Sequence, residues 1–173
     1  MNVAFIVNPA AAHGRARRVW QRVAAALRER GYTYQAYFTA GPGHATELAR
    51  QAAQRHEVIA AVGGDGTAHQ VLAGLIGSGR ELAVVPAGTA NDYCRSAGIP
   101  LDPVAAALAL NQHRVRRVDY GWVGAEPFLN VAGIGLDAAV CRALEDHWRF
   151  LPGKLGYVAA VLENLVRLRP TRV

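Results

Sequence analysis

Two short stretches concentrate the residues that could do chemistry. Residues 63–67 read GGDGT, and residues 86–92 read PAGTAND. The first sets Gly63, Gly64 and Gly66 around the carboxylate of Asp65, with the hydroxyl of Thr67 behind it. Glycines let backbone N–H groups approach a ligand with no Cβ in the way. An apolar run precedes this loop and a helical pattern follows, so the helix would present its first amides and positive dipole end to a phosphate. A carboxylate repels phosphate. Asp65 therefore reads as a holder of Mg²⁺ bridging phosphates, or as the acceptor of a proton from an attacking hydroxyl. The competing structural reading is a glycine-rich turn with Asp65 or Thr67 as helix N-cap. PAGTAND offers a second such set: Gly88, the Thr89 hydroxyl, and Asn91 and Asp92, all but the glycine also good capping residues. Two such loops on neighbouring strand ends weaken the purely structural reading of both. The glycine spacing matches neither GxxxxGK[ST] nor GxGxxG, which disfavours a dinucleotide oxidoreductase.

These loops need a scaffold, and the surrounding pattern supplies one. Residues 2–8, 32–38, 57–62 and 81–86 are short, apolar or alternating runs that predict strands. Residues 15–30 carry Val19, Trp20, Val23, Ala24 and Leu27 on one face and arginines on the other, an amphipathic helix that Gly31 ends. Residues 45–55, 67–76 and 103–111 also read as helices. Strands alternating with helices predict a parallel sheet covered on both faces. In such sheets ligands bind beyond the carboxyl ends of the strands. The loops there read NPAAAHG, TAGPGH, GGDGT and PAGTAND, all rich in Gly, Pro, Thr, Asn or Asp. Beyond residue 112 the pattern changes. Residues 114–124 and 127–135 read as consecutive strands joined by a turn at 124–126, which suggests antiparallel pairing. Helical patterns follow at 137–148 and 153–168. The expectation is an α/β nucleotide-binding domain over residues 1–112 and the incomplete start of a β-rich second domain over 113–173.

Composition bounds the rest. The chain has 173 residues, 51% of them hydrophobic, enough for a full core. Its net charge is +6, and Lys154 is the sole lysine among 19 basic residues. Arginine favours planar contacts to phosphate or carboxylate, and the charge suits an anionic membrane surface. An alanine-rich, arginine-rich composition also arises without any ligand. Nucleic acid is not an expected partner, because no aromatic-interleaved basic motif joins the net charge. Cys94 and Cys141 form no CxxC pair, the six histidines lack metal-ligand spacing, and no apolar run approaches a membrane span. A cytoplasmic location, with contact at most to the inner membrane surface, is expected. The face bearing Arg15, Arg17, Arg18 and Arg22 could touch headgroups, but a solvated helix face is the simpler reading. Trp148, Phe150 and Leu151 suit core packing better than a lipid path.

Taken in order, NPAAAHGRA, TAGPGHATELA, GGDGTAHQVLAGL, VPAGTANDYCRSAGIP, RRVDYGWV and FLNVAGIGLDAAV resemble the diacylglycerol kinase catalytic domain family, in its bacterial soluble lipid kinase branch, related to the sphingosine kinases. GGDGT alone is shared with NAD kinases and phosphofructokinases; its pairing with PAGTAND carries the specificity. The resemblance implies a two-domain kinase in which ATP and lipid meet in a cleft. It implies nucleotide contacts from Asn8, Pro9, Ala10, Ala11 and Ala12 after the first strand, and from Thr39 after the second. After the third strand it implies Gly63, Gly64, Asp65, Gly66, Thr67, Ala68, His69 and Gln70, and after the fourth Gly88, Thr89 and Asn91. It makes Asp65, Asp92 and Asp119 the catalytic acidic set, with Mg²⁺ near Asp65 and Asp119. Only the resemblance singles out Asp119. Two departures stand out: His69-Gln70 where the family has Asn-Glu, and an alanine and His13 where its first loop has a small polar residue and glycine. Family members also continue well past residue 173, so the second domain is truncated relative to them. The expected function is ATP-dependent phosphorylation of diacylglycerol or a similar lipid. The alternatives are a nucleotide-binding module inactive without the remaining half, and a kinase of a soluble substrate such as NAD. Exposed strands of an incomplete second domain would invite pairing with a second copy.

Overall fold

The structure, a computed structural model, describes residues 2–148, 151 and 154–166. The chain divides into two compact units, residues 1–130 and 131–173. The first contains a four-stranded, wholly parallel sheet in the order β2-β1-β3-β4, built from β1 (Val3–Val7), β2 (Tyr34–Phe38), β3 (Val58–Gly63) and β4 (Glu81–Pro86). Every residue of β1 and β3 is buried, which is why these runs are continuously apolar rather than alternating.

Successive side chains still point to opposite faces, and the core divides accordingly. On one face Val3, Phe5, Val7, Val58, Ala60 and Val62 pack with Trp20, Val23 and Leu27 of α1 (Arg15–Glu29) and with Ala107 of α5 (Pro103–Ala109). Phe5 and Trp20 lie with ring centroids 5.2 Å apart. On the other face Ala4, Ile6, Ile59 and Ala61 pack with Ala45 and Ala49 of α2 (His44–Ala52), Val71 and Leu75 of α3 (Asp65–Leu75), and Cys94 of α4 (Asp92–Ala97). Helices α2 and α3 run close because Gly74 has no side chain; a Cβ there would collide with the Thr46 carbonyl oxygen and meet Ala49 Cβ at 2.8 Å. Thr46 Oγ1 also donates to the Gln70 carbonyl at 2.9 Å. The parallel α/β expectation holds, with none of its helix or strand ends moved by more than three residues.

The region after α5 departs from the sequence reading. Residues 113–120 lie outside regular structure, and the two long strands reduce to β5 (Gly121–Val123) and β6 (Glu126–Phe128), an antiparallel pair. Val115, Val118, Val131 and Ile134 are apolar enough for strands, yet all are exposed. Their pattern specifies a half-buried sheet surface, but a strand also needs a neighbour to take its backbone hydrogen bonds. The hairpin belongs to the first unit, where Pro127 is buried and Leu129 packs on the α2–α3 side of the core. The sequence boundary at residue 112 thus differs from the division after Asn130. Within the second unit the described elements are helices, α6 (Leu136–Asp146) and α7 (Lys154–Val166), joined through Val140, Ala143 and Ala160. Trp148 packs against that small core and donates from Nε1 to Glu163 Oε2 at 2.7 Å; Phe150 lies outside the described residues. No helix among the described residues is long and apolar enough to cross a membrane.

Candidate nucleotide site

The chain adds β2 on one side of β1 and β3 on the other, so the direction of winding reverses between β1 and β3. In open parallel sheets such a reversal is where a ligand crevice forms, at the carboxyl ends of the two strands. Parallel registers bring four loop starts to one level: Val7 pairs with Phe38 and Val62, and Gly63 with Pro86. The ladder continues one residue further, through Asn8 N–H to Val62 O (3.0 Å), Thr39 N–H to Val7 O (2.9 Å) and Ala87 N–H to Gly63 O (2.7 Å). Asn8, Thr39, Gly63–Thr67 and Ala87–Asp92 therefore ring the crevice mouth.

Side chains then lock these loops to one another. Asn8 Oδ1 accepts from Ala10 N–H at 3.1 Å, and its Nδ2 donates to Thr67 Oγ1 at 3.1 Å. Thr67 is buried over Gly63, where a Cβ would collide with the hydroxyl. A Cβ on Gly64 would meet Gly88 Cα at 3.1 Å, so these two glycines allow the backbones of GGDGT and PAGTAND to touch. Asn91 stands in the left-handed region (φ 54°), and its amide bonds back on its own loop, accepting from Gly88 N–H at 3.0 Å and donating to Gly88 O at 3.2 Å. Arg95 Nε donates to Ala90 O at 3.1 Å and holds the same loop from behind.

Asp65 occupies a position that local sequence does not reveal. The N-cap of α3 is Gly64, without a side-chain cap, so neither Asp65 nor Thr67 caps that helix. Instead the Asp65 carboxylate reaches the start of α4, where Oδ1 accepts from Tyr93 N–H at 2.8 Å and Oδ2 from Asp92 N–H at 3.1 Å. It thereby caps a helix 27 residues further along the chain. Burial first, and the nearby Asp65 carboxylate second, raise the Cys94 thiol to about 11. A thiol held protonated at neutral pH is no nucleophile. Burial likewise raises the Tyr93 phenol.

Of the residues implied by the family pattern, those of the four strand-end loops converge. Pro9, Ala10, Ala11 and Ala12 form the turn after β1, and Ala12 and His13 both have positive φ, 50° and 57°. Gly66 and Thr89 are exposed at the crevice, whereas Ala68 is buried. His69 and Gln70 are half-buried on α3, where Asn-Glu was the family expectation. Asp119 is exposed in the irregular stretch 113–120 and has no described link to Asp65 or Asp92. Among the described residues no group of three or more His, Cys, Asp or Glu side chains could hold a metal ion. His44 Nδ1 accepts from Ala40 N–H at 2.9 Å and ties down the loop after β2.

An open parallel sheet with glycine loops around its switch point is the architecture of a phosphate-binding α/β protein. Comparison with known proteins narrows that class. Residues 2–123 match the family model described as the diacylglycerol kinase catalytic domain. A diacylglycerol kinase of Bacillus subtilis is 33% identical over 98% of this chain and 57% of its own length. A probable YegS-like lipid kinase of Pseudomonas aeruginosa is 40% identical over 83% of this chain and 47% of its own. The crystal structure of a diacylglycerol kinase from Bacillus anthracis superposes with TM-score 0.70 at 30% identity, covering 87% of this chain and 53% of that one. The chain belongs to the diacylglycerol kinase catalytic domain family and spans about half the length of the curated relatives it matches.

Proposed function

We propose that this chain binds ATP at the crevice between β1 and β3 and serves phosphoryl transfer to the hydroxyl of diacylglycerol or a similar lipid. One observation carries the reading. GGDGT and PAGTAND meet backbone to backbone at Gly64 and Gly88 and are joined again by Asp65 across the start of α4. This pairing separates the chain from proteins that share GGDGT alone. Phosphoryl transfer asks little covalent chemistry of a protein and much positioning. In this reading the β1 loop and the amides at the start of α3 hold the phosphates, and Thr39 and Thr89 contact the nucleotide.

The absence of a three-ligand cluster among the described residues does not suit a metal held by protein alone. It suits Mg²⁺ carried on the nucleotide, which keeps several waters and takes one or two carboxylates. Asp65 and Asp119 are the proposed carboxylates. When bound, the ion would neutralise charge developing on the transferred phosphate. Asp65, with both oxygens already on amides of α4, fixes where Asp92 stands, and Asp92 completes the acidic set. The lipid would be met at the membrane surface, by peripheral contact from the cytoplasmic side.

The test is direct. The purified chain is incubated with labelled ATP, Mg²⁺ and diacylglycerol in mixed micelles, and phosphatidic acid is sought. Labelled product that disappears in Asp65→Ala supports the reading. Because the chain spans half of its relatives, a second reading is a nucleotide-binding module that needs the other half: ATP binds, and no lipid is phosphorylated. Phosphorylation of NAD in place of lipid would overturn both.

A further inference from the structure

Asn8 and Thr67 form a pair whose hydrogen-bond direction is fixed. The Asn8 amide cannot turn over, because its Oδ1 already accepts from Ala10 N–H at 3.1 Å. Its Nδ2 therefore faces Thr67 Oγ1 as a donor, 3.1 Å away. A threonine hydroxyl has one proton and two lone pairs. Asn8 occupies a lone pair and leaves the proton, and none of the described contacts takes that proton. The hydroxyl is held over Gly63, on a residue only 5% exposed, and stands in the first turn of α3 at the crevice mouth.

We infer that Asn8 is a positioning residue: it makes the Thr67 hydroxyl an obligate donor toward the crevice, where the ligand it serves is a nucleotide phosphate oxygen. The inference rests on the ATP reading above and refines it, since the family pattern would let Asn8 touch nucleotide itself. Here Asn8 acts through Thr67.

ATP and adenosine are titrated separately into the full chain and its variants by calorimetry, with thermal unfolding of each variant as the check on folding. Thr67→Ser keeps the hydroxyl and should retain ATP affinity within about threefold, whereas Thr67→Val should lose about tenfold, the scale of one hydrogen bond to a charged group. Asn8→Ala should weaken ATP alone, and in the Thr67→Val background it should add almost nothing, as expected of residues acting as one unit. Adenosine affinity should be unchanged throughout, a split that general loosening of the fold would not produce. Additive losses from Asn8→Ala and Thr67→Val, or equal losses for adenosine, would overturn the inference while leaving ATP binding intact. A wild-type chain that binds no ATP would instead overturn the reading on which it rests. If Thr67→Val fails to fold, Thr67→Ala takes its place in the same cycle: ATP affinity should fall about tenfold and Asn8→Ala should add almost nothing to that loss, and additive losses would sink the inference.

Discussion

A methyl group added at Gly88 would collide with Gly64 Cα and meet Asn91 Oδ1 at 2.9 Å. The backbone is the obstacle, so no side chain can move aside. Gly88→Ala should therefore destabilise the chain by roughly 1–3 kcal/mol, the range of overpacking in a closed contact. Gly66→Ala makes a control within the same motif, since a Cβ there meets nothing within 4 Å. It should leave stability unchanged or raise it by up to about 1 kcal/mol, from better helix propensity. Urea denaturation of both variants checks the pair; equal losses would mean the loops do not touch as described. Ala12 offers the opposite experiment. Its φ of 50° is one that a side chain disfavours by about 1–2 kcal/mol, while glycine adds about 0.5–1 kcal/mol of unfolded-state freedom. Ala12→Gly should stabilise by about 0.5 kcal/mol, seen as a higher urea midpoint at constant slope.

Between elements, the Asp65 bridge ties α3 to α4 through two charge-assisted hydrogen bonds. Asp65→Ala should thus do more than remove a carboxylate from the crevice. It should cost about 1–2 kcal/mol of stability, the usual loss of a helix cap, and release the amides of Asp92 and Tyr93 to exchange. Hydrogen exchange at those two amides is the measurement, and protection equal to wild type would count against the bridge. At the opposite end of the sheet, buried His56 ties the residue before β1 to β2: Nδ1 meets Asn2 Oδ1 at 2.6 Å and Nε2 meets Gln35 Oε1 at 3.1 Å. Burial, then the neighbouring Arg55 charge, lowers its pKa below the ordinary 6.5. The folded state thus binds fewer protons than the unfolded chain between that lowered value and 6.5, so stability rises with pH across this window. Thermal midpoints should fall as pH drops below about 6.5, and His56→Gln should flatten that dependence.

Across the first unit, the parallel sheet has its core on both faces, while residues 113–123 carry apolar side chains outward. Val115, Val118, Tyr120, Trp122 and Val123 are all more than two-fifths exposed, and Tyr120 and Trp122 stand 5.9 Å apart. Apolar surface of this kind, next to a hairpin of three residues a side, favours association. The isolated chain should show a mass that rises with concentration in sedimentation velocity. Val118→Ser with Trp122→Ser should shift it toward monomer without changing the thermal midpoint of the α/β sheet. A chain that stays monomeric at every concentration would show that this strip is harmless in solution.

The amino-acid sequence by itself determined the alternation of strand and helix, because fully buried parallel strands read as apolar runs and amphipathic helices as a period of about 3.6. It also determined the strand-end loops: Gly, Asp, Asn and Thr cluster only where backbone must bend or meet a ligand. The pairing of GGDGT with PAGTAND was legible as order along the chain. What only the tertiary structure decided is how those loops meet. Gly64 against Gly88, Asn8 on Thr67 and Asp65 on α4 link residues 24, 59 and 27 or 28 positions apart. No local period records such separations, so the structural alternative for Asp65 was a cap on the helix it begins, whereas it caps the next one. The strands expected at 114–124 and 127–135 failed for the matching reason. A strand's side-chain pattern is written in its own residues, but its hydrogen bonds belong to a neighbour, and among the described residues that neighbour is three residues long.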